Sequence, residues 1–218
     1  MSKILNVILP MRSQSQRVKN KNIRLIHNKP LYSYIIQTLK QCKTINKIVI
    51  NTDYEIIHQE FKDDPQVILM DRAEHLKSNC NMNLVIENVL ENIEGEYFLQ
   101  THATNPLLQP RTVDKGVELF FECVKSHDSL FGVTKVQKRF WSTKGEPLNH
   151  NLTNEPTTQF LEPYFEENSC MYVFSRESFF KNHNRIGMHP LLFEIPKNEA
   201  WDIDEEDDMQ LVIKLIGD

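Results

Sequence analysis

Residues 4 to 23 read ILNVILPMRSQSQRVKNKNI and join an apolar run to a basic loop. Residues 4–9 are apolar on both faces apart from Asn6, which predicts a strand buried between two layers of a parallel sheet. Ligands of open α/β sheets bind beyond the carboxyl ends of the strands, so the loop lies where a ligand is expected. That loop carries four basic residues: Arg12, Arg17, Lys19 and Lys21.

The rest of the chain alternates short β-rich runs with segments of helical spacing. Further strands are predicted at 47–51, 67–70, 97–100, 130–135 and 172–174. Helices are predicted at 31–41, 55–61, 84–91, 111–125 and 205–216. This alternation predicts an α/β fold, an open and mostly parallel sheet with helices on both faces. Residues 137–163 are polar and contain one glycine and three prolines, which predicts loops or a projecting arm.

Length and composition limit the classes of protein. The 218 residues are enough for one sizeable core, so a single domain over residues 1–218 is expected. A net charge of −5 argues against a protein that coats nucleic acid or an anionic membrane. No apolar run approaches the roughly 20 residues that span a bilayer, and the N-terminus lacks a signal-peptide pattern, so a soluble cytoplasmic protein is expected. The four cysteines are widely spaced and are predicted to be free thiols.

The basic loop is chemically suited to a polyphosphate. Arg12, Arg17 and Lys21 supply positive charge, and the intervening Ser and Gln residues supply hydrogen-bond donors. Composition alone leaves a second interpretation open, in which the loop is a solvated surface segment without a ligand.

The motif RxxSxRxxxKN, followed by KPL at the start of a helix, resembles the N-terminal signature of the nucleotide-sugar cytidylyltransferases. Within that group the chain is most similar to the acylneuraminate (CMP-sialic acid synthetase) family. Other segments match the family in the same order: VINTDYEII, RAEHL, EENSCMYVFSRESF and WDIDEEDD. The resemblance implies a Rossmann-like fold, a homodimer, and the reaction of CTP with an acidic sugar to give a CMP-sugar and pyrophosphate.

The resemblance also implies which residues bind the nucleotide. Those carried over to CTP binding are Arg12, Ser15, Arg17, Lys21, Asn22 and Asn79, and Arg12 and Lys21, together with Asp204, are assigned to catalysis. The chain departs from the family pattern in the basic loop and at residue 79. Ser13 and Gln14 replace a Gly-Gly pair, so side chains are expected to replace some amide contacts with phosphate. Asn79 stands where many relatives carry Asp.

Attack of an anionic sugar oxygen on the α-phosphate brings negative groups together, which a divalent ion would neutralise. Asp202 and Asp204 alternate along a segment predicted to be extended, so both carboxylates can face one side and bind Mg²⁺. The alternative is that Asp204 only caps the helix predicted to begin at Glu205. Asp53, after the second strand, is interpreted as a structural turn residue.

Recognition of the acceptor is assigned to two regions. In LQTHATNPLL, ungapped alignment puts His102, and not Gln100, at the family's sugar-contacting Gln, and both are retained as acceptor residues. Lys138 and Arg139 lie in the proposed arm and are expected to pair with an acidic acceptor across a dimer interface, although a basic pair beside Phe140 and Trp141 also suits a solvated rim.

The leading hypothesis is therefore a Mg²⁺-dependent cytidylyltransferase that acts on a nonulosonic acid of the sialic, legionaminic or pseudaminic type. Within the same class, 3-deoxy-octulosonate or a phosphonate remains an alternative acceptor. From another class, a non-catalytic nucleotide-binding module of the same fold remains open, although such a module has little need for the Asp202–Asp204 pair.

Overall fold

The computed structural model describes residues 4–15, 17–77, 80–154 and 157–217. Its centre is a seven-stranded sheet with the order β5-β4-β1-β6-β8-β7-β9, flanked by a separate two-stranded hairpin of β2 and β3. The strands are β1 (Leu5–Met11), β2 (Leu25–Ile26), β3 (Lys29–Pro30), β4 (Ile45–Thr52), β5 (Val67–Asp71), β6 (Tyr97–Gln100), β7 (Ser129–Val136), β8 (Tyr164–Ser175) and β9 (Pro190–Glu194). In the large sheet β8 is antiparallel to both of its neighbours, and each other adjacent pair is parallel.

The helices cover both faces of this sheet, as the sequence predicts. They are α1 (Leu31–Gln41), α2 (Glu55–Phe61), α3 (Met82–Asn92), α4 (Pro110–Cys123), α5 (Arg176–Asn182) and α6 (Glu206–Ile216). Val7 and Leu9 of β1 pack in one core with α1, α2 and α4, whereas Ile8 points to the opposite core with α3 and α5. None of the helices in the described ranges is long and apolar enough to span a bilayer.

Several elements of the structure were not predicted from the sequence. Strand β9, helix α5 and the β2–β3 hairpin were missed, and β8 begins at Tyr164, well before the predicted residue 172. The first four residues of β8 are exposed, so they lack the apolar pattern on which the prediction depends. Of the described residues in 137–163, only Leu161 is buried; the regular structure there is a 3-10 turn at Thr158–Phe160 and one bridge between Trp141 and Pro147.

A bulge in β8 distorts the sheet beside the expected site. The β7–β8 register passes from Phe131↔Tyr172 directly to Val133↔Glu167, so extra residues of β8 are accommodated opposite Gly132. Ser169 within this bulge has a φ of 58°, in the left-handed region. Bulges re-aim side chains at sheet edges and next to binding sites.

One edge of the sheet collects the ends of several strands. The carboxyl ends of β1, β4, β5 and β6 lie together because these strands are parallel neighbours. Strand β8 pairs Tyr172 with Gln100, so its preceding residues extend past the end of β6 at the same edge. The segment before α6 docks there too, because the Ile203 amide donates to the Thr104 carbonyl at 3.0 Å.

Candidate active site

A cavity of about 410 Å³ lies at this edge and contains most of the predicted nucleotide residues. It brings together side chains from the β1 loop, the ends of β5 and β6, the β8 bulge and the segment before α6. Its lining includes Arg12, Ser15, Arg17, Lys21, Asn22, Arg72, His102, Thr104, Ser169, Arg185, Asp202 and Asp204. Asn79, predicted to contact CTP, lies outside the described residues.

The basic loop is anchored to the neighbouring strand by a side chain. The Ser13 amide and hydroxyl donate to the two carboxylate oxygens of Asp53, at 2.7 and 2.6 Å, and the Tyr54 hydroxyl donates to the Ser13 carbonyl. Asn22 closes the loop by donating to the Arg12 carbonyl at 3.1 Å. Ser13 therefore fixes the loop at a position where the family has glycine, and Asp53 has the structural role that the sequence predicts.

Two basic side chains of the loop meet one carboxylate. Arg17 Nη2 lies 2.5 Å from Asp204 Oδ1, and Lys21 Nζ lies 3.6 Å from the same oxygen. Lys21 is buried and donates to the Ile203 carbonyl. Burial lowers the pKa of Lys21, an effect that the charges of Asp204 and Asp202 oppose. The loop and the Asp202–Asp204 segment thus form one electrostatic unit.

Asp202 differs from Asp204 in its surroundings. Burial raises the pKa of Asp202, Thr104 opposes this by a hydrogen bond to the carboxylate, and the nearby charge of Asp204 raises it further. Among the described residues, Asp202 Oδ1 is buried without a hydrogen-bond partner. An unpaired buried carboxylate oxygen is costly, and a bound cation would satisfy it.

Asp202 and Asp204 offer the type of ligand atom that a hard divalent cation binds. Both side chains offer carboxylate oxygens to the same cavity, the ligands that Mg²⁺ prefers. The described residues contain no cluster of three or more His, Cys, Asp or Glu side chains that could hold a metal alone.

The capping alternative for Asp204 is wrong. Helix α6 begins at Glu206, and its N-cap is Glu205, which forms a capping box with Asp208. Asp208 Oδ2 accepts from the amides of Asp204 and Glu205, at 3.0 and 2.8 Å. The Asp204 side chain is therefore directed to Arg17 and Lys21 and not to the helix terminus.

His102 lines the cavity, and Gln100 lies behind it. Gln100 is fully buried, and its amide contacts Arg185, the Thr101 carbonyl and the His102 ring. Loss of water around the ring, with the charges of Arg185 and Lys21, lowers the pKa of His102 to about 3. His102 is therefore a neutral hydrogen-bonding group at physiological pH.

A second cavity of about 660 Å³ adjoins the first and shares Ser169, Asp202 and Asp204 with it. It is also lined by Lys138, Glu167 and Lys197, among others. Of the two basic residues predicted to contact the acceptor from the arm, Lys138 lines this cavity and Arg139 does not. The two cavities thus meet at the carboxylate pair.

A match to a family model decides which family the chain belongs to. The model described as cytidylyltransferase matches residues 6–214, nearly the whole chain. The chain belongs to the cytidylyltransferase family. The predicted family and the predicted α/β fold are both confirmed.

Several relatives of this cytidylyltransferase family are similar over the full chain. The chain is 28% identical to the post-translational flagellin modification protein B of Campylobacter coli, over 99% of this chain and 96% of that protein. It is 26% identical to the CMP-N,N'-diacetyllegionaminic acid synthase of Campylobacter jejuni, over 94% and 92%. It is 21% identical to the N-acylneuraminate cytidylyltransferase of Escherichia coli, over 95% of this chain but only 51% of that protein, so the chain spans about half the length of that relative.

Solved structures of other cytidylyltransferases share the fold. A CMP:2-keto-3-deoxy-manno-octonic acid synthetase in complex with CTP superposes with a TM-score of 0.71 at 13% identity, over 96% of this chain and 97% of that one. The 4-diphosphocytidyl-2C-methyl-D-erythritol synthase of Anaerococcus prevotii gives a TM-score of 0.72 at 10% identity, over 100% and 97%. At such identity the likeness concerns the fold alone.

Several residues that line the cavity were not predicted from the sequence, among them Arg72, Thr104, Ser169 and Arg185. Arg72 follows β5 directly at the binding edge, so its position after a predicted strand was an available signal. Ser169 reaches the cavity through the β8 bulge, and Arg185 through the turn after α5. Neither of these two features has a sequence pattern that predicts it.

Proposed function

We propose that this cytidylyltransferase activates an acidic sugar of the nonulosonic type with CTP, giving a CMP-sugar and pyrophosphate. The main support is Asp202: its side chain lines the cavity that also holds the basic loop, and its buried Oδ1 has no hydrogen-bond partner among the described residues. A site of this kind combines a cation position with an anion position, as transfer of a nucleotidyl group requires.

The nucleotide is assigned to the first cavity. Arg12, Arg17 and Lys21 pair with the triphosphate, and Ser15 and Asn22 add hydrogen bonds from the same loop. Asn79 is assigned to CTP from the resemblance alone. Arg12 and Lys21 also stabilise the charge that develops on the leaving pyrophosphate, because positive charge held beside a developing anion lowers its energy.

Asp202 and Asp204 are proposed to hold Mg²⁺. When bound, the ion would neutralise phosphate charge and align the leaving pyrophosphate. Asp204 is held by Arg17 and Lys21 in this structure, so triphosphate binding would draw these cations to phosphate and release Asp204 for the ion. The same two residues that bind phosphate thereby control the availability of one metal ligand.

The acceptor is assigned to the second cavity and its boundary with the first. His102 and Lys138 are the proposed acceptor contacts, Gln100 supports His102 from behind, and Arg139, which lines neither cavity, is assigned to the acceptor across a dimer interface. In the reaction, a sugar hydroxyl oxygen forms a bond to the α-phosphorus as the bond to the pyrophosphate oxygen breaks, and the hydroxyl proton leaves to solvent. Relatives named for legionaminic, pseudaminic and N-acylneuraminic acids support an acceptor of this class.

A cytoplasmic homodimer is the proposed working form. CTP is a cytoplasmic metabolite, and the arm exposes large apolar side chains that a partner subunit would cover. These side chains are Trp141, Leu148, Leu152 and Phe160, and Tyr164 at the start of β8 is exposed beside them in the sequence.

Release of pyrophosphate tests the proposed function. The four nucleoside triphosphates are each supplied with a panel of acidic acceptors, with and without Mg²⁺. We expect release only with CTP, Mg²⁺ and a nonulosonic acid. Preference for 3-deoxy-octulosonate or a phosphonate would identify the alternative acceptors, and CTP binding without turnover on any acceptor would identify a binding module.

A further inference from the structure

Arg185 is a largely enclosed cation whose nearest carboxylate, in the part of the chain that the structure describes, is not in close contact. Its side chain is only 16% exposed, and its nearest carboxylate, Glu167, lies 3.8 Å from Nη2. The guanidinium carbon lies 3.6 Å from the centre of the Tyr172 ring, and Glu167 also accepts a hydrogen bond from the Tyr172 hydroxyl. A buried guanidinium paired this loosely is suited to an incoming anion.

Gln100 joins Arg185 to His102 and fixes the orientation of both. Arg185 Nη1 donates to Gln100 Oε1 at 2.5 Å, and a guanidinium can only donate. The Gln100 amide nitrogen therefore faces the Thr101 carbonyl at 3.0 Å and His102 Nε2 at 2.9 Å. Since that nitrogen donates, His102 Nε2 must accept, and the neutral ring carries its proton on Nδ1.

Arg185 lines the first cavity and lies close to the second through its contact with Glu167. Arg185 and His102 line the first cavity, Glu167 lines the second, and Ser169 lines both. Three other basic residues that line the first cavity have partners of their own. Arg17 and Lys21 pair with Asp204, and Arg72 donates to the Leu76 carbonyl.

We propose that Arg185 binds the carboxylate of the acceptor sugar, with His102 Nδ1–H as a second donor and Gln100 as the residue that positions both. This inference rests on the proposed function. In a cyclic 2-keto acid sugar, the attacking hydroxyl is on the carbon that bears the carboxylate. The group that binds the carboxylate must therefore lie beside the metal ligands and the nucleotide, as Arg185 does through its shared cavity with Asp202.

The test compares a carboxylate acceptor with its carboxamide in wild-type protein and in Arg185→Met. We expect Arg185→Met to raise the acceptor KM roughly 10- to 100-fold with little change in CTP affinity, because a charge-assisted hydrogen bond is lost. Wild-type preference for the carboxylate over the carboxamide should largely disappear in the variant. Lys181→Met, which removes an exposed positive charge on α5, is the matched control and should behave as wild type.

Gln100→Met tests the positioning role. It should raise the acceptor KM and also change the His102 tautomer, which is read from the ¹⁵N chemical shifts of the ring. A wild-type ring that carries its proton on Nε2 would overturn the arrangement. Thermal melting identifies a variant that fails to fold, and in that case Arg185→Lys, which keeps the charge but loses the planar fork, should still weaken acceptor binding.

Other outcomes separate this inference from the proposed function. An active wild-type enzyme with an unchanged acceptor KM in Arg185→Met would overturn the role of Arg185 alone. A raised KM for CTP with a normal acceptor KM would assign Arg185 to the nucleotide and overturn it as well. A wild-type protein that releases no pyrophosphate with any acceptor would refute the proposed function itself.

Discussion

Asp202 and Asp204 line the same two cavities but differ in burial and in their partners. Asp202 Oδ1 is buried without a hydrogen-bond partner among the described residues, whereas the Asp204 side chain is 46% exposed and pairs with Arg17 and Lys21. A bound cation would remove a penalty at Asp202 but would compete with the ion pairs of Asp204. Because both side chains of the Arg17–Asp204 pair are exposed to water, loss of that pair costs little.

Replacing either residue by Asn keeps its size and removes an anionic ligand. We expect activity to collapse in Asp202→Asn and in Asp204→Asn, because a hard cation binds a neutral amide oxygen more weakly than a carboxylate. The measurement is the Mg²⁺ dependence of pyrophosphate release. Wild-type rates at wild-type Mg²⁺ concentrations in both variants would contradict the metal site. Circular dichroism should show both variants folded, because Glu205 and Asp208 cap helix α6.

The lowered pKa of His102 makes a prediction about acid stability. Its pKa falls from an ordinary 6.5 to about 3 in the folded protein, so the unfolded chain takes up the proton first as pH falls. The free energy of unfolding should therefore decrease between about pH 6.5 and pH 3. Urea unfolding at pH 7.5 and 5.5 measures this, and His102→Gln should lose that part of the pH dependence. Equal pH dependence in both proteins would show that His102 titrates normally.

At the scale of secondary structure, helix α6 holds the Asp202–Asp204 segment in place. Its buried residues Met209 and Val212 pack with Ile203, which lies between the two aspartates, and with Val18 of the basic loop. The capping box at the start of α6 fixes the backbone of Asp204 and Glu205 through Asp208. The cap therefore joins helix stability to the geometry of the site.

Asp208→Ala tests this cap. The change removes the acceptor for two backbone amides and should lower the free energy of unfolding by about 0.5–2 kcal/mol. Asp207→Ala is the matched control, because Asp207 is an exposed acid of the same first turn outside the capping box. Denaturant unfolding of both variants measures the difference. Equal stability of the two variants would show that the capping box contributes little.

Elements with a strong local pattern were predictable from the sequence, and elements that depend on tertiary pairing were not. Helix α1 has the predicted bounds, since it follows Pro30 and repeats apolar residues on its buried face. The first half of β8 is held by pairing with β7 and has exposed side chains, so no apolar alternation marks it. The aspartate pair and the basic loop have motifs, whereas Arg185 reaches the cavity only through the packing of α5.

At the scale of the whole molecule, the arm exposes apolar surface beside the second cavity. Phe160 is 76% exposed and Leu148 is 60% exposed. Several large apolar side chains exposed within one segment favour a protein interface there. Lys138 lies in the same segment and lines the second cavity, so a partner subunit would also enclose the acceptor region.

A Phe160→Glu, Leu148→Glu double variant tests the dimer. We expect sedimentation equilibrium to show a dimer for the wild type and a monomer for the variant, because a buried, unpaired carboxylate is costly. Ile56→Glu is the control: Ile56 is 58% exposed on α2, outside the arm, and the variant should remain a dimer. A wild-type monomer at micromolar concentration would contradict the proposed assembly.

In the proposed reaction, the acceptor oxygen attacks the α-phosphorus of CTP. ³¹P NMR of the products formed from CTP, Mg²⁺ and an active nonulosonic acid tests this step directly. We expect equal amounts of pyrophosphate and a single phosphodiester that joins CMP to the sugar. Formation of CDP with a phosphorylated sugar, or hydrolysis of CTP without a CMP-sugar, would contradict it.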